Sequence, residues 1–158
     1  MKTIVSISGG TKFYQRLKEI EEKMKSRGVY IGLPKGTGNY EDGTPIAVIG
    51  AVQEFGSANG QIPERSFLRV PLRAAKKEFS KIIQNLLPKI LSGEITQDNA
   101  LHQLGAKAVS VSQEAISAGI DPPNAPSTVK RKGSSTPLIN EGTLRQNITH
   151  VIGDEDES

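Results

Sequence analysis

Two stretches rich in proline and glycine set the main limits on how this chain can fold. Residues 34–45 carry three glycines and two prolines and have little apolar weight. Residues 119–137 place Pro122, Pro123 and Pro126 within five positions, followed by Lys130-Arg131-Lys132-Gly133 and a Ser-Ser-Thr-Pro run. Proline removes a backbone donor and glycine carries a high ordering entropy, so neither stretch sustains a helix or strand along its length. Both are expected to be projecting loops, with one helical turn over residues 127–131, and loops of this kind often order only against a partner. At 158 residues the chain is long enough for one real core and not two, so the three blocks between and around the loops share it. The expectation is a single domain over residues 1–153 followed by an acidic tail, 154–158.

The blocks alternate between two periodicities. Thr3 to Ser8 alternates hydroxyl and apolar side chains, which predicts a first strand. After Gly9-Gly10, Thr11 opens a helix with Phe13, Leu17, Ile20 and Met24 at helical spacing, closed by Gly28. Val29 to Leu33 predicts a second strand, and strand–helix–strand at this length allows the two strands to lie parallel. Thr44 and Pro45 suit the N-cap and first position of a helix ending at Gly56. A long helix is expected from near Phe67 to Leu91 with Leu72, Ala75, Phe79, Ile82, Leu86 and Ile90 inward; Pro88 should kink it or end it early. Thr96 caps a further helix with Leu101, Leu104, Ala108, Val111 and Ala115 on one face, and Gly105 permits close packing on the preceding helix. A short capped turn over residues 140–146 and a strand over 147–152 close the chain. The fold class is therefore α+β: a small mixed β-sheet packed by an antiparallel helical pair, with long extended loops.

The corner between Gln53 and Arg73 concentrates unusual residue types. Phe55 and Gly56 end an apolar helix, Pro63 fixes an extended entry, and Ser66 is placed to cap a helix carrying Phe67, Leu68 and the cations Arg65, Arg69 and Arg73. Bulky apolar groups alternating with arginines suggest a buried anchor beside a charged rim.

The words Glu54-Phe55-Gly56 and Ile62-Pro63-x-Arg65-x-Phe67-Leu68-Arg69 resemble the signature of a tailed-bacteriophage morphogenesis family: the neck, tail-completion and virion-morphogenesis proteins of long-tailed phages and Mu-like prophages. A second block continues the resemblance, with Pro126-Ser127-Thr128, Lys132-Gly133, Pro137-Leu138-Ile139, Gly142, Leu144, Arg145 and Ile148 in order. Members often carry His and Pro where this chain has Gln53 and Ser66, and Asp-Thr-Gly where it has Asn140-Glu141-Gly142. With the helices between them, the blocks cover about two-thirds of the chain. The resemblance implies a structural virion protein of the head–tail joint, needed for neck or tail completion. It implies a ring of copies, six or a multiple, around the DNA channel, contacting other neck, connector and tail proteins. It places the protein in the virion, and in the host cytoplasm during assembly. On that reading Phe55, Phe67 and Leu68 are fold anchors, Arg65, Arg69 and Arg145 brace the fold or an interface, and both loops order on assembly.

Catalytic constellations are missing from the sequence. There is no cysteine and there are only two histidines, His102 and His150, far apart in sequence. No thiolate zinc site, His-x-x-x-His pair, Gly-x-Ser-x-Gly elbow or EF-hand loop is present. Gly36-Thr37-Gly38 lacks the spacing of a dinucleotide or P-loop turn. No enzyme activity, metal or cofactor is expected. The apolar stretch Ile4–Ile7 is too short for a signal peptide or membrane helix, so no membrane role is expected either. Four of the 17 acids lie in the last five residues, leaving 20 cations against 13 acids in the body. Lys76, Lys77, Lys130, Arg131 and Lys132 are the candidate DNA-facing residues, able to add salt-dependent affinity for duplex phosphates without reading sequence. A small cytoplasmic, non-sequence-specific DNA-binding protein is the alternative reading.

Overall fold

A computed structural model describes residues 10–124, 126, 129–130 and 142–154, and for 23–26 and 154 the backbone alone. The expected first strand and most of the second loop lie outside the described residues; of the expected helical turn at 127–131 only residues 129 and 130 are described, and both are helical. The described elements run α1 (Gly10–Ser26), β1 (Arg27–Gly32), α2 (Ile46–Phe55), α3 (Arg69–Ala74), α4 (Lys76–Ser92), α5 (Gln97–Ala118), α6 (Thr143–Gln146) and β2 (Thr149–Asp154). Helices dominate over a small sheet, which is an α+β fold.

β1 and β2 pair antiparallel, with Ile31 opposite His150 and Tyr30 opposite Val151. The two strands closest in space are thus the second and the last of the sequence reading. Gly28 does not close α1, which ends at Ser26; it sits in β1 opposite Gly153. The Tyr30 ring lies across this glycine pair, 3.4 Å from where either Cβ would stand, and covers backbone that two side chains would otherwise shield. The other sheet face packs on α5.

α5 is the spine. Thr96 Oγ1 accepts from Asn99 N at 3.2 Å, as its cap position predicts. Its buried residues are Ala100, Gly105, Ala108, Ser112 and Ile116, a face rotated from the expected one, with which it shares Ala108. The small side chains bring the sheet close, while Leu101 and Leu104 turn towards α4. Gly105 accordingly meets β2 and not the preceding helix: a Cβ there would overlap the His150 imidazole.

The expected long helix is interrupted at Ala75, whose ψ of 3° separates α3, lying along α5, from α4. α4 then runs through Pro88 to Ser92 without ending early and stops at Gly93, whose φ of 78° forms a left-handed cap. Burial of Leu86 and Ile90 on either side of Pro88 offsets the hydrogen bond the proline cannot make. α4 and α5, joined by a short turn, form the helical pair. Their cluster of Leu86, Ile90 and Ala100 gathers Ile20, Ile82 and Ile95. The main core is Ile46, Phe67, Ile116, Leu144 and Ile148, with Ile31, Leu33, Tyr40, Leu68, Val109 and Ile120 against it. At α2 the helix starts at Ile46 with Pro45, not Thr44, as N-cap.

The 34–45 loop is closed on itself. Tyr40 N donates to Thr44 O at 2.8 Å, Gly43 N to Tyr40 O at 2.9 Å, and Ile46 N to Gly38 O at 3.1 Å. Tyr40 packs on the core, so contacts within the chain hold this loop.

Candidate functional site

The Glu54–Arg69 corner is a polar knot built around one buried carboxylate. α2 places Glu54 on its inner face with Ile46 and Gly50, and its residue exposure is 3%. Burying a carboxylate is costly unless its lone pairs are filled. Here Oε1 accepts from Ser66 Oγ at 2.7 Å, Arg69 N at 3.0 Å and Arg69 Nε at 2.9 Å. Oε2 accepts from Phe67 N at 2.8 Å and Leu68 N at 2.9 Å. Three consecutive backbone amides entering α3 thus end on one side chain, which acts as a cap supplied from another helix. Burial opposes ionisation of Glu54, but the hydrogen bonds from Ser66, Arg69 and Leu68 outweigh it and hold the carboxyl below its ordinary range. Ser66 completes the turn by accepting from Val70 N at 3.0 Å.

Arg69 locks the corner from outside. Its Nη2 reaches Glu54 O at 2.9 Å and Glu64 Oε1 at 2.8 Å, and its guanidinium stands 4.3 Å over the Phe55 ring. Phe55 is 61% exposed and is not a core anchor. The inner face of α2 at that end is taken by Glu54, which leaves Phe55 outside as the surface on which Arg69 stacks. Phe67, 1% exposed, is the anchor, and Leu68 packs beside it. Gly56 has φ 78°, and a Cβ would stand 3.1 Å from Glu64 N and 3.2 Å from Ile62 O, so only glycine lets the two strands of this corner approach. Pro63 lies exposed on the entry.

Arg65 extends the knot to the second projecting loop. Though 7% exposed, its guanidinium faces neutral acceptors: Nε donates to Pro122 O at 2.7 Å, Nη2 to Pro123 O at 3.1 Å and Nη1 to Gln53 Oε1 at 3.3 Å. The fork of one arginine therefore fixes the root of the segment after α5. Burial without an acid pushes its pKa down from the ordinary arginine value.

The C-terminal motif residues fall elsewhere on the same core. Gly142 takes φ 74° at the start of α6, Leu144 is buried at 2% exposure, and Arg145 Nη1 donates to Ser117 Oγ at 2.9 Å, tying α6 to α5. Leu138, Arg131 and Lys132 lie outside the described residues. Lys76, Lys77 and Lys130 are exposed. Sequence reasoning missed the carboxylate's role as a shared cap, because Glu54 and its donors stand 12 to 15 positions apart. It also missed that His102 and His150 touch.

Among the described residues no three His, Cys, Asp or Glu side chains converge as a metal site, and no helix is long and apolar enough to cross a membrane. A cavity of about 60 Å³ between α4 and α5 is lined by Ile83, Leu86, Leu87, Ile90, Leu101 and Leu104. Gln97 Nε2 lies at it, buried and without a hydrogen-bond partner among the described residues. The chain matches no protein-family model, no curated protein and no solved structure.

Proposed function

We propose that this protein is a structural component of the head–tail joint of a long-tailed bacteriophage, a subunit of a ring around the DNA channel that completes the neck or tail. The observation that carries the reading is a coincidence. The residues of the first resembling block, Glu54-Phe55-Gly56 and Arg65 to Arg69, gather at one polar knot, with Glu54 and Arg69 at its centre and Arg65 extending it to the next loop. A knot with its donors and acceptors matched inside the protein does no chemistry. What it does is hold a corner rigid and, through Arg65, fix the root of a projecting segment. That is the work of a scaffold that must present loops to neighbouring subunits at a fixed angle. The mechanism is assembly, with head, connector and tail proteins as partners and duplex DNA passing by.

Arg73, Lys76, Lys77 and Lys81 are exposed along α3 and the start of α4, with no ion pair among the described residues. This favours, as second reading, a monomer that binds duplex phosphates through one basic face. Light scattering on the purified protein, over a concentration series at low and high salt, separates the two. A closed assembly of six subunits or a multiple is the result expected for the neck role. A monomer at every concentration that binds duplex DNA with a steep salt dependence overturns it in favour of the second.

A further inference from the structure

The two histidines of the chain, 48 positions apart, meet where α5 crosses β2. His102 Nδ1 and His150 Nε2 stand 3.1 Å apart, and the rings are 5.3 Å between centroids in an edge-to-face arrangement at 68°. Three features of the fold create this approach. α5 carries His102 one turn before Gly105, and Gly105 has no Cβ to collide with the His150 ring. β2 turns His150 towards α5, opposite Ile31 of β1. His102 is exposed and His150 half-buried, so water reaches the pair.

We infer that this pair is a binding site for a divalent transition-metal cation of the copper, nickel and zinc class, with both imidazoles as ligands and water in the remaining positions. At a metal–nitrogen length of about 2.05 Å, two nitrogens 3.1 Å apart subtend about 98° at the metal. That angle lies between the square or octahedral value and the tetrahedral one. The nitrogens face each other nearly along the line of the ring centroids, so each ring turns by about 40° to aim its lone pair at the shared ion. The facing nitrogens are held in hydrogen-bond contact without a cation, and one of them then carries the proton. In the metal-bound form that proton moves to the far nitrogen of the same ring, giving two neutral imidazoles with bare facing nitrogens and no net proton release. The acid one turn before His102 is Asp98, already paired with Arg27, so it supplies no third ligand. Two imidazoles and water make a weak, exchangeable site, and copper is held best of the class. Its effect is to clamp the C-terminal strand to α5.

The test uses the full chain. Titration with Cu(II), followed by electron paramagnetic resonance, is expected to give one site per chain with superhyperfine splitting from two nitrogens. Thermal melting is expected to move upward on adding Ni(II) or Zn(II) and to return with chelator. His102→Gln, at an exposed position where a folding failure is not expected, should abolish both the two-nitrogen spectrum and the metal-dependent shift. His150→Ala, with melting in chelator as its folding control, should do the same. A spectrum from two nitrogens that survives His102→Gln overturns the inference, as does a single-nitrogen spectrum in the unaltered protein. Failure to bind at millimolar metal also overturns it and leaves the pair as a hydrogen bond between α5 and β2.

Discussion

Replacing Glu54 by glutamine keeps the shape of the polar knot and inverts part of its chemistry. The carboxylate receives five donors: Ser66 Oγ, the amides of Phe67, Leu68 and Arg69, and Arg69 Nε. A glutamine oxygen can keep the Phe67 and Leu68 amides, but its NH2 group then faces Arg69 N and Nε, donor against donor. Ser66 can reverse its hydroxyl, so two N–H groups are left unmatched. An unsatisfied buried donor costs about 1–3 kcal/mol, so the two together cost about 2–6 kcal/mol; the Arg69 side chain is 45% exposed, so its lost charge interaction adds little to this. We therefore expect Glu54→Gln to lose about 4 kcal/mol, and the melting temperature to fall by about 12 °C at roughly 3 °C per kcal/mol for a chain of this size. Urea unfolding followed by circular dichroism at neutral pH measures the loss. A second arm uses the carboxyl's lowered pKa. A group depressed in the folded state contributes stability above its unfolded pKa, and that contribution is lost as pH falls through the folded value. The unaltered protein should therefore lose stability below about pH 4.3 more steeply than Glu54→Gln does. A loss under about 1 kcal/mol, or parallel pH profiles for the two proteins, would refute the account of Glu54 as the shared cap.

Arg65→Lys keeps the charge and removes the fork that spans Pro122 O, Pro123 O and Gln53 Oε1. About 2 kcal/mol of stability should go, and limited proteolysis should cut faster between residues 119 and 126; an unchanged cleavage rate would show that Arg65 does not fix that root. Gly105→Ala gains about 1 kcal/mol of helix propensity, but its methyl overlaps the His150 ring. A net loss of about 1–2 kcal/mol is expected from overpacking, with weaker metal binding at the histidine pair, both read from melting curves with and without Ni(II). Pro88→Ala restores an amide donor inside α4 at an exposed position and should stabilise the protein by about 1–3 kcal/mol in urea unfolding.

Local chemistry alone determined several elements. Thr96 caps α5 because its hydroxyl reaches the Asn99 amide across one turn. Gly93 ends α4 because a left-handed cap suits a residue without Cβ. The Glu-Phe-Gly and Pro-x-Arg-x-Phe-Leu-Arg words point to this corner, and Phe67 is buried there as its bulk suggests. These signals act within a few residues, so the sequence carries them openly.

Other assignments depended on which surface lay opposite, and only the tertiary structure decided those. Phe55 and Glu54 are adjacent on α2, and hydropathy favours burying the phenylalanine. The structure buries the glutamate, because three amides, a hydroxyl and a guanidinium converge on it from the segment entering α3. The inward face of α5 follows the same rule: Leu101 and Leu104 outweigh Gly105 and Ser112 in hydropathy, but the sheet needs small residues to come close. The contact of His102 with His150 depends on α5 crossing β2 and on the missing Cβ of Gly105. Propensity and periodicity are sums over neighbours in the chain, whereas the cost of burying a charge is set by donors distant in sequence. Here those donors lie 12 to 15 residues away, where only the fold brings them together.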